Sequence, residues 1–382
     1  MMKSCHVMMK NSSPLCHLHC KSCFCINNTE HSPACNTYCM DDTTLQLFIR
    51  RKIDTEEASD VVFTWQDGES MPGGLHFFER VIELQQQYPQ SKNIINTFQT
   101  NGILLDDEWC EFFKKNQFMI CISVDSDVAL HDNTCDTISG KSTNYQVENA
   151  ARLLQKYDIE FSTLTVVNTE NSHHPLRIYH YLKSLGSRHM QFIPLLRPLV
   201  QGGVDAQSLG PAALGIFLKT IFYTWVRLDI GTIKIPIFEH AFAAWCGLSV
   251  PTCVYASCDD SALALKINDD NYHCDRVVNS KYFMRDRNQP IATAMQQNSM
   301  NQRVESSKPT LVEECASCKV EFACHGGCAK DRVALSRCGV PQLNYFCESY
   351  QAFFTYVEPY MLMMRALWEQ NYAPSDIRQY LT

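Results

Sequence analysis

The chain of 382 residues carries 33 basic and 41 acidic side chains, which gives a formal net charge of −8. This balance disfavours nucleic acid and anionic membrane surfaces as partners. The sequence has no apolar run of roughly 18 residues and no signal-peptide pattern at its start, so it predicts a cytoplasmic protein without a membrane span. Twenty cysteines in a reducing compartment indicate metal binding or catalysis rather than disulfides.

Three cysteines near the N-terminus, Cys16, Cys20 and Cys23, are separated by three and then two residues. A loop with this spacing can place three thiolates on one face of a cubane iron–sulfur cluster and leave the fourth iron open. Zinc is the alternative metal, because His17 and His19 lie in the same loop. The C-x3-C-x2-C spacing resembles the signature of the radical S-adenosylmethionine superfamily, in which the open iron binds the cofactor's methionine end.

Strand and helix patterns alternate through the first half of the chain. Runs of β-forming residues predict strands at 6–9, 61–65, 94–100, 119–124, 161–167 and 189–194. Amphipathic stretches predict helices at 43–53, 74–88, 106–116, 144–157 and 175–185. Strands separated by helices pair in parallel through right-handed crossovers, so we expect an α/β fold with a closed or open barrel.

Reactive side chains in such sheets lie at the carboxyl ends of the strands. Cys16, Glu69, Asn101 and Asp125 each follow a predicted strand, so we expect them at one rim of the barrel. The alternative for Glu69 or Asp125 taken alone is a helix cap or a solvated loop position.

The pattern of apolar residues and cysteines in the sequence changes beyond Trp245. Residues 214–229 still form an aromatic helical pattern that predicts core packing. Beyond them the periodicity weakens and cysteines cluster, so we place a domain boundary near Cys246. The predicted domains are 1–245, 246–347 and a C-terminal helical segment at 348–382.

The second group of cysteines is the most specific signal in the chain. Five thiols follow the pattern C-x2-C-x5-C-x3-C with one later member: Cys315, Cys318, Cys324, Cys328 and Cys347. Three more stand upstream: Cys253, Cys258 and Cys274. Eight thiols are enough for two four-thiolate iron–sulfur clusters, and two four-cysteine zinc sites are the alternative.

Several segments between the cysteines match one family. They are Thr64-Trp65-Gln66, Gln99-Thr100-Asn101-Gly102, Ser123-Val124-Asp125, Gln191-Phe192-Ile193-Pro194 and Cys274-Asp275. With them the sequence resembles the anaerobic sulfatase-maturating enzymes over nearly its whole length. That resemblance implies a partial (β/α)6 radical-SAM barrel, a small cysteine-rich SPASM domain with two auxiliary 4Fe-4S clusters, and a C-terminal helix.

The resemblance also implies an activity. In the family, a reduced 4Fe-4S cluster cleaves S-adenosylmethionine to a 5′-deoxyadenosyl radical, which removes hydrogen from the β-carbon of a cysteine or serine in a sulfatase. Loss of a proton and a second electron then leads to Cα-formylglycine. The implied partners are a sulfatase polypeptide and an electron donor such as a flavodoxin or ferredoxin.

Matching motifs assign the residues as follows. The catalytic cluster would be held by Cys16, Cys20 and Cys23. The nearer auxiliary cluster would take Cys253, Cys258, Cys274 and Cys328. The farther one would take Cys315, Cys318, Cys324 and Cys347. Asp275 would be the general base, and the residues expected at the cofactor and substrate are Gln66, Gly68, Glu69, Gln99 and Ser123.

Some positions depart from the family pattern. Ser22 replaces an aromatic residue, Asp67 and Asp269 replace glycines, and the spacing from Cys253 to Cys258 is one residue short.

Cys135 stands where an arginine that pairs with the cofactor carboxylate is expected. Together these changes predict a weakened enzyme. Two alternatives stay open: a SPASM enzyme that modifies another peptide, and a non-catalytic iron–sulfur or zinc protein.

Overall fold

The computed structural model describes residues 7–10, 18–20, 41–56, 59–66, 71–88, 92–124, 135–137, 144–199, 203–248, 263–266, 271–272 and 311–381. The chain divides into two compact units. The first takes its described residues from Met1–Ser123, Asp132–Phe161 and Asp259–Ser306. The second takes them from Val124–His131, Ser162–Cys258 and Ser307–Thr382.

Strands occur throughout the described residues. In chain order they are β1 (Val7–Lys10), β2 (Leu18–Cys20), β3 (Asp60–Trp65), β4 (Asn93–Thr100), β5 (Met119–Ser123), β6 (Cys135–Thr137), β7 (Phe161–Val167), β8 (His189–Pro194), β9 (Leu263–Lys266), β10 (Asn271–Tyr272), β11 (Ala334–Leu335) and β12 (Pro341–Leu343). All six strands predicted from the sequence are present.

The main sheet of the first unit has the order β10-β9-β1-β3-β4-β5. Neighbours from β9 to β5 are parallel, and β10 alone pairs antiparallel with β9. In the second unit, β7 and β8 are also parallel. The predicted parallel pairing is therefore confirmed. The sequence did not predict β9, which pairs with β1 although it follows the expected boundary at Cys246.

The helices lie between and after these strands. They are α1 (Asp42–Thr55), α2 (Leu75–Gln86), α3 (Asp107–Lys115), α4 (Asn144–Lys156), α5 (Pro175–Ser184), α6 (Ala213–Leu228), α7 (Pro236–Trp245), α8 (Glu313–Ala316), α9 (Glu321–Cys324) and α10 (Cys347–Glu369). Among the described helices, none combines the length and apolarity needed to cross a bilayer.

Strands β3, β4 and β5 bury one face more deeply than the other. Their side chains alternate between buried and half-buried, as a strand's period of two requires. On the buried face, the Phe78 ring of α2 lies 5.0 Å from the Phe98 ring of β4, and Phe98 lies 4.9 Å from Phe113 of α3. Helices α2 and α3 therefore cover this face with an aromatic core.

A buried polar group also joins the covered face to α2. The Trp65 indole N–H donates to Asn96 Oδ1 at 2.9 Å, and Asn96 and Gln85 exchange hydrogen bonds at 2.8 and 3.0 Å. All three side chains are buried. Since buried amides need partners, this network favours one register between β3, β4 and α2.

The second unit is held by helix packing around α6, α7 and α10. The Phe238 ring lies 5.1 Å from Phe222 and 5.6 Å from Phe353. Helices α6 and α10 approach closely at Gly215, where a Cβ would lie 2.9 Å from the Ser349 backbone. The Gly215 N–H donates to Ser349 Oγ at 2.8 Å, and that hydroxyl donates to the Pro211 carbonyl. This contact fixes the first turn of α10, which begins at Cys347.

Candidate functional site

The less buried face of β3–β5 carries polar side chains. The register pairs Thr64 with Thr97, and Gln99 with Cys121. Residues paired in a parallel ladder project to the same side of a sheet, and so do residues two apart along one strand. Gln66, Gln99 and Ser123 therefore share this face near the carboxyl ends of the three strands, and all three are half-buried.

The chemistry of this face suits a polar ligand. The Thr97 hydroxyl donates to the Thr64 hydroxyl at 3.1 Å, which orients both side chains. Amide and hydroxyl groups can both donate and accept hydrogen bonds, so Gln99 and Ser123 can contact the polar groups of a nucleoside or a peptide.

The turn after β4 brings the strand end close to α4. The Gly102 N–H donates to Thr100 Oγ1 at 3.0 Å, and the Ile103 N–H donates to Asn101 Oδ1 at 3.0 Å. Gly102 has φ +79°, and a Cβ there would lie 2.8 Å from the Ala150 Cβ. Asn101 lies at the predicted rim, and its side chain stabilises the backbone turn.

Only Cys20 of the N-terminal cysteine trio lies within the described residues, at the end of β2. Strands β2 and β6 are antiparallel, and their register places Cys20 directly opposite Cys135. The position where the resemblance expects an arginine is thus a cross-strand neighbour of a predicted cluster ligand. The other predicted site positions of this half lie outside the described residues: Cys16, Cys23, Gly68, Glu69 and Asp125.

Four cysteines of the C-terminal segment lie close enough for the charge of one to shift the pKa of another. Burial raises the pKa of Cys324 to about 12, and the charges of Cys347, Cys315 and Cys318 act in the same direction. Burial likewise raises the pKa of Cys347 to about 11, again with Cys315 and Cys318 contributing. These are the four thiols that the resemblance assigned to the farther auxiliary cluster.

Four thiols are the donor set that a 4Fe-4S cluster takes from a protein. In the part of the chain that the structure describes, no three His, Cys, Asp or Glu side chains converge as they would around a single ion. The resemblance supplies the grouping of the four thiols, and the effect of their charges on the pKa of Cys324 and Cys347 agrees with it. The second predicted ligand set is described only at Cys328. Its other members, Cys253, Cys258 and Cys274, lie outside the described residues, as does Asp275.

The turn between Cys324 and Cys328 has an unusual backbone. His325, Gly326 and Gly327 have φ values of +48°, +72° and +60°. Three successive left-handed residues point their carbonyl groups to one side, and the Arg332 guanidinium lies on that side. It donates to the carbonyl oxygens of these three residues at 3.1, 3.2 and 3.3 Å.

Two more side chains attach the cysteine segment to its surroundings in the second unit. Asn344 Nδ2 donates to the Cys328 carbonyl at 3.2 Å, and Asn344 Oδ1 accepts the Phe346 N–H at 2.9 Å. The buried His240 of α7 makes a 2.7 Å hydrogen bond between Nε2 and the Ala323 carbonyl. Sequence reasoning missed these two residues and Arg332, because side-chain contacts to distant carbonyls leave no spacing pattern.

Comparison with known proteins identifies the relatives of this chain. Residues 11–182 match the model of the radical SAM superfamily. A serine-type anaerobic sulfatase-maturating enzyme of Bacteroides thetaiotaomicron is 31% identical, over 99% of this chain and 95% of that protein. A cysteine-type anaerobic sulfatase-maturating enzyme of Clostridium perfringens is 30% identical, over 93% of this chain and 97% of that protein.

Solved structures give the same result. The structure of anSMEcpe with bound AdoMet and the Kp18Cys peptide superposes with a TM-score of 0.82 at 29% identity, covering 94% of this chain and 99% of that one. Streptococcus suis SuiB bound to S-adenosylmethionine shares the fold, with a TM-score of 0.64 at 12% identity over 90% of this chain and 77% of that one. This chain therefore has the partial-barrel radical-SAM fold and belongs to the family of anaerobic sulfatase-maturating enzymes.

Proposed function

We propose that this protein oxidises a cysteine or serine side chain of a sulfatase to Cα-formylglycine. The observation that carries the proposal is similarity over almost the whole chain to both serine-type and cysteine-type anaerobic sulfatase-maturating enzymes. A solved relative that binds AdoMet together with a peptide has nearly the same length and fold. This supports a site that receives both a cofactor and a polypeptide.

S-adenosylmethionine and a reduced 4Fe-4S cluster supply the radical chemistry when bound. Cys16, Cys20 and Cys23 would hold that cluster. The residues that would bind and orient the cofactor and substrate are Gln66, Gly68, Glu69, Gln99 and Ser123. Three of them, Gln66, Gln99 and Ser123, lie on one half-buried sheet face, which supports their assignment to a common cavity.

Two auxiliary 4Fe-4S clusters complete the proposed cofactor set. Cys315, Cys318, Cys324 and Cys347 would hold one, and this assignment is supported by the effect of the neighbouring cysteine charges on the pKa of Cys324 and Cys347. The other would take Cys253, Cys258, Cys274 and Cys328. Asp275, directly after a ligand, would accept the proton of the substrate thiol or hydroxyl. We expect a flavodoxin or ferredoxin as electron donor, and a cytoplasmic site of action.

Cys135 should limit the affinity for the cofactor. An arginine at this position could form a charged hydrogen bond with the cofactor carboxylate, worth about 1.5–3 kcal/mol, and a thiol cannot. Cys135→Arg should therefore bind S-adenosylmethionine roughly ten- to a hundredfold more tightly in an equilibrium titration. Unchanged affinity in a fully iron-loaded variant would refute the idea that this position weakens the enzyme.

Mass spectrometry of a substrate peptide tests the proposed reaction. The protein is reconstituted anaerobically with iron and sulfide, then incubated with S-adenosylmethionine, a reductant and peptides with a Cys-x-Pro-x-Arg or Ser-x-Pro-x-Arg core. We expect an aldehyde at the first position of at least one peptide, trapped by a hydrazine reagent. Cofactor cleavage without aldehyde on either peptide would instead indicate a different polypeptide substrate.

A further inference from the structure

We propose that Cys20 and Cys135 form a reversible disulfide that competes with the N-terminal iron–sulfur cluster for Cys20. The inference rests on the proposed function, because that function makes Cys20 a cluster ligand. It assigns a chemical role to Cys135, the position at which the family resemblance expects an arginine. The observation that carries it is the register between β2 and β6.

This register places the two cysteines opposite each other. The antiparallel pairing runs from Leu18 with Thr137 at one end to Cys20 with Cys135 at the other. Residues directly opposite in an antiparallel ladder share one face of it. Cys20 and Cys135 are therefore cross-strand neighbours, although they lie far apart in the sequence.

The backbone spacing at such a position suits a disulfide. Directly opposed residues in antiparallel strands have Cα atoms about 5.5 Å apart in hydrogen-bonded pairs and about 4.5 Å apart in the others. Disulfides join cysteines whose Cα atoms are about 4.4–6.8 Å apart. Both kinds of antiparallel pair meet this requirement, so the bond needs no rearrangement of the two strands.

The strand pair is also small enough to gain from a covalent link. Strands β2 and β6 form a two-stranded sheet of their own, with three residues in each strand. An isolated two-stranded pairing is only marginally stable in water. A bond between Cys20 and Cys135 therefore holds the pair together when no cluster is bound.

Glutathione disulfide can act as the oxidant. The thiolate of one cysteine attacks a glutathione sulfur, which forms a mixed disulfide and releases one glutathione thiolate. The thiolate of the second cysteine then attacks the protein sulfur of this mixed disulfide, which forms the Cys20–Cys135 bond and releases the second glutathione. The two cysteine thiols lose two protons and two electrons, and glutathione disulfide becomes two glutathione thiols. Dithiothreitol reverses the reaction.

The disulfide and the N-terminal cluster exclude each other. Iron binds cysteine as the thiolate, and a sulfur in a disulfide cannot provide one. The oxidised chain therefore keeps only Cys16 and Cys23 of the three predicted ligands. Conversely, a loaded cluster occupies Cys20 and protects it from glutathione disulfide.

Peptide mapping under non-reducing conditions tests the proposal. The metal-free full chain is incubated with glutathione disulfide in the absence of air, free thiols are blocked with iodoacetamide, and the digested peptides are identified by mass spectrometry. We expect a linked peptide that contains Cys20 and Cys135 and disappears with dithiothreitol. Cys20 joined to Cys16, to Cys23 or only to glutathione would overturn the proposal.

Three variants test whether the register determines the link. Cys135→Ser removes the partner and should abolish the linked peptide. Cys135→Ser combined with Asp136→Cys keeps a thiol in β6 but moves it to the other face of the strand, so it should not restore the link. Linkage of this displaced cysteine in the yield of the parent would contradict the proposal. The matched control is Cys338→Ala, which removes an exposed cysteine and should keep the link.

Prior loading with iron distinguishes this inference from the proposed function. Parent protein that holds about twelve irons per chain should lose the linked peptide after the same treatment. If the reduced parent takes up no iron, the proposed function fails, and the mass spectrum still shows whether the two cysteines are joined. If the parent is fully loaded and still forms the link as readily as metal-free protein, only this inference fails.

Discussion

Strands β3–β5 and the segment 311–347 differ in what fixes their backbones. The strands are held by a regular ladder and by the aromatic side chains of α2 and α3. The cysteine segment has two helices of four residues each and one short strand pair, β11 and β12, and its turns are held by side-chain hydrogen bonds from Arg332, Asn344 and His240. A segment with so little regular structure gains most from a metal core that binds its side chains together.

The difference also separates two roles in the proposed chemistry. The sheet presents Gln66, Gln99 and Ser123 on a surface whose geometry depends on the fold alone. In the cysteine segment, burial raises the pKa of Cys324 and Cys347, so the uncharged thiols are favoured until a cation binds. We therefore expect the sheet to be formed before metal loading and the segment to become ordered with it.

Removal of the metal should give the largest contrast between the two regions. Chelation of the reconstituted protein should speed amide hydrogen exchange in peptides from 311–347 by at least about tenfold, because binding energy contributes directly to the folding of such sites. Peptides from β4 should keep their protection. Equal acceleration in both regions would contradict the comparison, and reloading with iron and sulfide is the control.

Asn96→Ala should damage the sheet. It leaves the buried Trp65 indole and the Gln85 amide without their partner, and each unpaired group costs about 1–3 kcal/mol. We expect a loss of about 3 kcal/mol in the free energy of unfolding, measured in urea, if no water molecule replaces the lost partner of the indole and the amide.

The matched control lies on the same strand. Asn93→Ala removes an exposed hydrogen bond to Asp60 and should change stability by no more than about 0.5 kcal/mol. Similar losses for the two asparagine variants would show that the buried network does not stabilise the sheet.

Gly215→Ala should disturb the helix contact next to Cys347. The new methyl group would lie 2.9 Å from the Ser349 backbone, so α6 and α10 must separate, which typically costs about 1–3 kcal/mol. Gly210→Ala is the control, because the nearest atom to its Cβ would be the Ala213 Cβ at 4.0 Å. Thermal unfolding should show a lower midpoint for the first variant alone.

The smallest effect is expected at the start of α1. Asp41 accepts hydrogen bonds from the Thr44 side chain and backbone at 2.7 and 3.0 Å, and these hold the pKa of Asp41 below its usual value. Asp41→Ala should cost about 1 kcal/mol near neutral pH.

The sign of the pH dependence follows from this lowered pKa. Asp41 stabilises the fold fully above its unfolded pKa and loses this contribution as the pH falls through its folded pKa. Asn caps helices about as well as Asp, so Asp41→Asn should keep the stability and remove that part of the acid dependence. An unchanged acid dependence would refute the assignment.

Sequence periodicity predicted the regular parts of the fold closely. Strands at 161–167 and 189–194 match β7 and β8 at both ends, and the helix expected at 43–53 is α1 with a few additional residues. It failed for β9, a short strand whose partner β1 lies far away in the sequence. Pairing between distant segments depends on the tertiary fold.

The candidate site was also predicted only in part from the sequence. Alternation along β4 and β5 is enough to place Gln99 and Ser123 on one face. Spacing alone left open how the C-terminal cysteines divide into groups, and the grouping came from the family resemblance. Arg332 had no sequence signal, because its hydrogen bonds depend on the direction of three carbonyl groups in residues with a left-handed backbone conformation.

The central claim is that Cys16, Cys20 and Cys23 hold an iron–sulfur cluster at which S-adenosylmethionine is cleaved reductively. The most direct measurement is 5′-deoxyadenosine formed by reduced, oxygen-free protein, together with iron content. The account predicts about twelve irons per chain and turnover in the parent, against about eight irons and no turnover when the three residues are alanines. Zinc in place of iron, or equal 5′-deoxyadenosine from both proteins, would contradict it.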